Sequence, residues 1–378
     1  VKPPILEFRK SDDPRDVMHQ ACEHLADGRL VAFPTEALYV VAGAPLVDGV
    51  AANFAAAGLS PGAILGLRVP EELPDYVDPT PSLAGKLARR CWPGPVTMQF
   101  PGESAHGLFE ALPRETQALL LAADNRLSLR VPAHEVLQGV LRLSPGPLLL
   151  SRETVLPGDP GLTSAAEVVR RHGHAIDLVI DDGPCRYGEA TTSILFRDAG
   201  WEVTQQGVVT ARTLGRLASE VYLFVCTGNT CRSPMAEAIF RRMLAERLNC
   251  SDDDLVDHGY IVASAGIAAP VGAPAAREAV DLLAEMRVEL RNHESQPLTE
   301  RLLNQADRVF TMTRGHRQAI LAERPDLAGR IELLAGAEGD ISDPIGAGRE
   351  VYEACKDEIQ RHLRRVVDEV APPRSGNA

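Results

Sequence analysis

Apolar and polar positions recur along this chain in two rhythms, and these lay out strands and helices in alternation. In the first half, residues 16–26 carry the helical rhythm and stop at Gly28, and the apolar run 30–33 reads as a strand ended by Pro34. Further on, 165–171 is a predicted helix and 177–180 a short buried strand, followed by the turn Asp181-Asp182-Gly183-Pro184. The runs 192–196 and 201–205 flank Asp198-Ala199-Gly200 as a hairpin. Between 209 and 220 the rhythm gives way to a polar, basic stretch containing Arg212 and Arg216. A new series then begins: strand 221–225, helix 234–246, strand 261–264, helix 275–286, strand 308–312 and a long closing helix 350–370. Such alternation predicts a parallel sheet covered by helices on both faces. The expected division is a first domain over 1–210, a linker over 211–219, a second domain over 220–370 and a frayed tail over 371–378, where Pro372, Pro373 and Gly376 stand.

Length agrees with two domains, since 378 residues exceed one ordinary core. Aromatic residues are only 4%, so the cores must rest on Leu, Val, Ile and Ala. The formal net charge of -13 argues against a broad nucleic-acid face, which needs clustered Lys and Arg, yet leaves room for a small cationic pocket. Residues 1–10 lack the pattern of a secretory leader, and no apolar run reaches the roughly 18 residues of a spanning helix. No membrane association is therefore expected. Seven cysteines, an odd number without a CxxC pair, do not suggest a disulfide framework and point to a reducing cytoplasm, where a thiolate survives as a nucleophile.

The most informative stretch is Val225-Cys226-Thr227-Gly228-Asn229-Thr230-Cys231-Arg232-Ser233-Pro234, at the junction of a strand and a helix. Pro234 suits the first helical turn. Backbone N–H groups in such a turn can form an anion nest backed by the helix N-terminus, and Gly228 is expected to supply its left-handed conformation. A thiol in the nest is favoured as thiolate, and the Arg232 fork matches two phosphoryl oxygens. Ser233 either donates to the departing Cys226 thiolate or caps the helix. A bare Cys-x5-Arg is weak evidence, and an isolated Cys226 would read as a buried strand-end residue. The strand, Gly, Asn, Ser-Pro and helix around it agree on phosphoryl chemistry. Late in the chain, Asp343 precedes Pro344, which biases it to an extended loop. It serves either as a general acid or as an ordinary Asx-Pro turn.

The run resembles the low-molecular-weight protein tyrosine phosphatase family, over essentially residues 221–370. Ser264-Ala265-Gly266, Leu298-Thr299, Ala306-Asp307, Thr311-Met312 and Asp343-Pro344 also fit it. The resemblance implies a four-stranded parallel sheet with flanking helices, no metal and no cofactor. Cys226 is then the nucleophile, Arg232 the phosphate ligand and Asp343 the acid and later base. Thr227, Gly228, Asn229, Thr230, Cys231 and Ser233 form the phosphate loop, and Ser264 supports Asn229. Thr230, where tyrosine-specific members carry an aliphatic residue, and Ile345-Gly346-Ala347-Gly348, without their aromatic pair, resemble the bacterial protein-arginine-phosphatase branch, as do Asn292-His293 and Pro297-Leu298-Thr299-Glu300. The implied substrate is a phosphorylated protein, phosphoarginine before phosphotyrosine. Arsenate reductases share the fold but need two redox cysteines mid-domain, and none lies between Ser251 and Glu353. Cys231 either forms a reversible disulfide with Cys226 or is a small packed residue.

Phe33-Pro34-Thr35-Glu36-Ala37-Leu38-Tyr39 and Cys91-Trp92-Pro93-Gly94-Pro95-Val96-Thr97 resemble the YrdC-like threonylcarbamoyl-AMP synthase family. Ser128-Leu129-Arg130-Val131-Pro132, Asp182-Gly183-Pro184-Cys185 and Thr191-Thr192 extend the likeness over roughly residues 8–210. It implies a twisted α/β domain for the first half. The family's Lys-x-Arg pair is replaced by Ala57-Gly58-Leu59-Ser60-Pro61, its Ser-x-Asn by Ser151-Arg152-Glu153, and its Arg-Pro-Gly by Gln205-Gln206-Gly207. Losing these phosphate-binding groups together points to a degenerate site, because charge neutralisation is the main service of a triphosphate pocket. Thr35, Arg130, Ser151 and Thr192 are the candidates for a residual small-molecule or nucleotide pocket, with Arg68 or Arg152 as substitute cations. Three functions compete: a phosphatase with a binding or regulatory first domain, a bifunctional protein whose first domain uses ATP for tRNA modification, and a non-catalytic phospho-ligand binder.

Overall fold

The computed structural model describes residues 2–59, 62–121, 124–152, 161–197 and 200–371. Ser60-Pro61, Glu153, the Asp198-Ala199 turn and the tail beyond Ala371 lie outside the described residues. The chain forms two compact units, Val1–Ala218 and Ser219–Ala378.

In the first unit a mixed ten-stranded sheet is buried on both faces. Its second strand in the chain, Val31–Phe33, shows how: Leu30 and Ala32 enter one core, Val31 and Phe33 the other. The first helix, Pro14–Ala26, starts two residues before the predicted one, because Asp13 accepts from Arg15 N at 2.8 Å and Pro14 fits the first turn. The hairpin pairs Thr192–Arg197 with Gly200–Gln205. The predicted linker is corrected: Ala211–Ala218 is a helix of this unit, with Leu214 buried in its core. Arg90, from the helix Ser82–Cys91, donates to Leu217 O at 2.7 Å and closes its end.

The second unit is a four-stranded parallel sheet in the order Tyr260–Gly266, Glu220–Cys226, Arg308–Thr311, Ile331–Leu333. Tyr222 and Phe224 pack under one layer of helices and Leu223 and Val225 under the other. Burial on both faces explains the unbroken apolar run. The register pairs Cys226 with Gly266 at the strand ends, where ligands of such sheets bind. The helix after Cys226 is Arg232–Leu248, again two residues ahead of prediction. The apolar pattern does not mark the helices Glu300–Gln305 and Arg314–Glu323 or the strand Ile331–Leu333. The closing helix Arg349–Val370 buries Tyr352, Cys355, Ile359, Leu363, Val366 and Val367 along one stripe. Among the described residues no helix is long and apolar enough to cross a membrane.

Candidate active site

Cys226 ends the second unit's central strand and is 3% exposed. The chain must turn at once from strand to helix, and the turning residue is Asn229, with φ of 54°. Gly228, expected to supply the left-handed conformation, is not in that region; Asn, the side-chain type that best tolerates it, takes it instead. The turn brings Asn229 N–H to Cys226 Sγ at 3.2 Å. Asn229 Nδ2 donates to Ser233 Oγ at 2.9 Å and Ser264 Oγ at 2.8 Å, while its Oδ1 accepts from Gln296 N at 2.9 Å. His293 Nε2 contacts the Asn229 carbonyl at 2.8 Å. Behind these, Ser264 Oγ donates to Glu237 Oε2 at 2.6 Å. Burial raises the Glu237 carboxyl above its ordinary range, against the Ser264 hydrogen bond and Arg241. The loop presses so closely on the neighbouring strand that a Cβ on Gly266 would stand 2.4 Å from Thr227 O and 2.9 Å from Asn229 N.

Ser233 lies inside the helix, whose cap position is Cys231, so the capping alternative falls away. Its Oγ sits 3.0 Å from Cys226 Sγ and 3.3 Å from Ala265 O. Arg232 is nearly buried, with Nη1 3.3 Å from Ile341 O and Nη2 on the half-exposed Asp343 carboxylate. Asp343 also accepts from Ile345 N at 3.2 Å, so it makes the Asx turn and stands at the loop arginine together. Cys231 Sγ is 3.2 Å from Tyr352 OH on the closing helix. Thr230 is half-buried, its carbonyl held by Ala276 N at 2.8 Å and its hydroxyl 3.7 Å from Cys231 Sγ. Thr227 is exposed, and its Oγ1 lies 2.9 Å from Nε2 of the buried His316. Burial, then the charge of Arg232, hold that imidazole below its usual range. Cys226, Arg232, Asp343 and the loop residues are thus brought together, with Ser264 beneath them. Glu237, His316 and Tyr352 escaped sequence reasoning. Only Glu237 carried a local signal, as it shares a helical face with Ser233, four residues earlier.

The first unit's candidates fare differently. Arg130, fully buried, gives Nη2 to Glu36 Oε1 at 2.9 Å and to Thr35 Oγ1 at 3.3 Å. Burial opposes the Glu36 charge, but Arg130 outweighs it and holds that carboxyl below the ordinary range. Thr35 Oγ1 also donates to Leu38 O at 2.7 Å. Ser151 Oγ accepts from Val41 N at 2.9 Å, and Thr192 Oγ1 donates to Val209 O at 2.7 Å while accepting from Gly207 N and Val209 N. Thr35 and Arg130 meet; Ser151 and Thr192 each serve the backbone beside them. Arg68 is tied to Glu72, and Arg152 lines a cavity of about 10 Å³ with Thr97, Gln99, Ser128, Thr191 and Ser193. That is room for roughly one water.

A buried sulfur at the end of a central parallel strand, contacted by a backbone N–H and a serine hydroxyl, has the surroundings of a thiolate nucleophile, and the second unit is a cysteine-dependent phosphatase. Residues 221–374 match the family model for low molecular weight phosphotyrosine protein phosphatase, and the chain belongs to that family. Residues 23–207 match the Sua5–YciO–YrdC model, described as telomere recombination, so a YrdC-like domain precedes the phosphatase. The chain is 38% identical over 156 residues to the protein-arginine-phosphatase of Bacillus subtilis, covering 40% of this chain and 97% of the relative. It is 36% identical over 140 residues to a probable low molecular weight protein-tyrosine-phosphatase, EpsP, of Ralstonia solanacearum, covering 37% of this chain and 88% of that one. A crystal structure of a YwlE mutant from Bacillus subtilis aligns at 36% identity and a TM-score of 0.36, covering 40% of this chain and 99% of its own.

Proposed function

We propose that this phosphatase removes phosphate from arginine side chains of proteins, by the following course. Cys226 thiolate attacks phosphorus in line, and the P–N bond breaks with its electron pair passing to the guanidine nitrogen, which takes the Asp343 proton. Arg232 and the loop amides hold the equatorial oxygens. Water then attacks phosphocysteine, Asp343 carboxylate takes its proton, and the S–P pair returns to sulfur, which accepts the Ser233 hydrogen bond. Atoms balance with water alone, so no metal or cofactor is invoked. The carrying observation is Thr230: a half-buried hydroxyl within the nucleophile's loop suits a planar, hydrogen-bonding guanidine better than an aromatic ring. Ile345 after the acid, aliphatic and 69% exposed, supports the same choice, since it offers no aromatic wall. The test compares the full chain and Cys226→Ser on phosphoarginine and phosphotyrosine proteins. Thr230→Ile should move preference toward phosphotyrosine, and unchanged selectivity would remove the argument.

For the first unit we infer a binding or regulatory role, in a reducing cytoplasm, without threonylcarbamoyl-AMP synthesis or ATP as cofactor. Support comes from the pairing of Arg68 with Glu72 and from the constricted cavity at Arg152. Threonine- and bicarbonate-dependent pyrophosphate release from ATP by the full chain would overturn this and establish a bifunctional enzyme.

A further inference from the structure

Thr227 follows the nucleophile directly and is exposed at the loop, with Oγ1 2.9 Å from His316 Nε2. His316 stands in the first turn of the helix Arg314–Glu323, which Thr313 starts by accepting from His316 N, and is 5% exposed. Its Nδ1 is buried and has no hydrogen-bond partner among the described residues. The single polar contact of the ring therefore fixes the Thr227 side chain. Burial, then the charge of Arg232, lower the affinity of the ring for a proton against the opposing charges of Asp343 and Asp340, and so favour its neutral form.

Neutrality matters because a cation here would repel a guanidinium. Whichever ring nitrogen carries the proton, Thr227 Oγ1 keeps at least one lone pair that His316 does not use. An arginine-derived leaving group brings several N–H donors to that oxygen. A phosphotyrosine side chain brings no N–H donor and sets an aromatic edge against a hydroxyl.

We propose that Thr227 and His316 form a guanidine-reading pair, in which Thr227 contacts the substrate's N–H groups and His316 is the positioning residue that holds its hydroxyl in place. The pair rests on the phosphoarginine function proposed above and adds a second determinant to Thr230. The distinction from a purely structural role is selectivity: loss of packing lowers turnover of every substrate alike, whereas loss of an acceptor penalises the substrate that carries the donor.

The experiment measures kcat and KM of the full chain on one protein carrying phosphoarginine and on one carrying phosphotyrosine. Thr227→Val should lower the phosphoarginine-to-phosphotyrosine ratio of kcat/KM by about tenfold, mainly through KM for phosphoarginine. His316→Leu should shift the ratio the same way, and His316→Gln, which can still reach Oγ1, should restore it. The double variant Thr227→Val/His316→Leu should shift it no further than Thr227→Val alone. Equal losses on both substrates, an unchanged ratio in Thr227→Val, or additive shifts in the double variant would overturn the pair while leaving phosphoarginine as substrate. A wild-type chain active on phosphotyrosine alone would overturn the substrate assignment and the pair with it.

Discussion

Asn229 holds a backbone conformation that suits glycine and a side chain that glycine lacks, and each can be removed separately. Asn229→Gly keeps the turn but strips the bonds to Ser233, Ser264 and Gln296; Asn229→Ala strips them and adds the steric cost of φ at 54°. Activity should fall at least tenfold in both, and alanine should be less stable than glycine by about 1 kcal/mol in thermal or urea unfolding. Gly266→Ala should cost about 1–3 kcal/mol and lower kcat, because the new methyl meets Thr227 O rather than a movable side chain. In Asp343→Asn the base for the second step is gone, so phosphocysteine should accumulate and be detected by mass spectrometry after an acid quench. Cys226, Arg232 and Asp343 were legible because two lie in one contiguous motif and the third precedes a proline. His316 and Tyr352 were not, since they meet the loop from 89 and 121 residues away in sequence and no local pattern announces such a contact.

Elements tell a similar story of local signals and their limits. The stretch over 211–219 looked like a linker because Arg212 and Arg216 interrupt the apolar rhythm, yet Leu214, Leu217 and Ala218 fall on one helical face. Leu214→Ala should destabilise the first unit by about 2–4 kcal/mol, a loss no linker residue would cause. Both helices begin ahead of their apolar rhythm, which marks the buried face and is silent on first-turn residues such as Arg15, Arg232 and Ser233. The helix Arg232–Leu248 also carries Glu237, whose raised folded pKa gives a signed prediction. A carboxyl that holds its proton more tightly when folded favours the folded state at low pH, and this contribution is lost as pH rises from the unfolded value through the folded one. Relative to Glu237→Gln, wild type should lose stability as pH rises above about 4.3, checked by urea midpoints measured upward from that pH. A parallel midpoint in both proteins would show that the carboxyl is equally solvated in the two states.

At the scale of the whole molecule, the phosphatase site lies within the second unit, Ser219–Ala378. Strand and helix alternation exposed the parallel sheet of the second unit because both its faces are buried, which leaves continuous apolar runs. The first unit's sheet mixes parallel and antiparallel pairs, and no rhythm in the sequence specifies that order. Burial pushes the thiols of Cys91 and Cys355 up to about 12, so neither should react with iodoacetamide at pH 7 in the native chain, as peptide mass spectrometry would show.

The tie between Cys231 and Tyr352 joins the nucleophile's loop to the helix Arg349–Val370, 121 residues further along the chain, and Asp343 too lies far beyond the loop in sequence. During synthesis Cys226 leaves the ribosome more than a hundred residues ahead of Asp343 and Tyr352, so the loop cannot gain these partners until both have followed it.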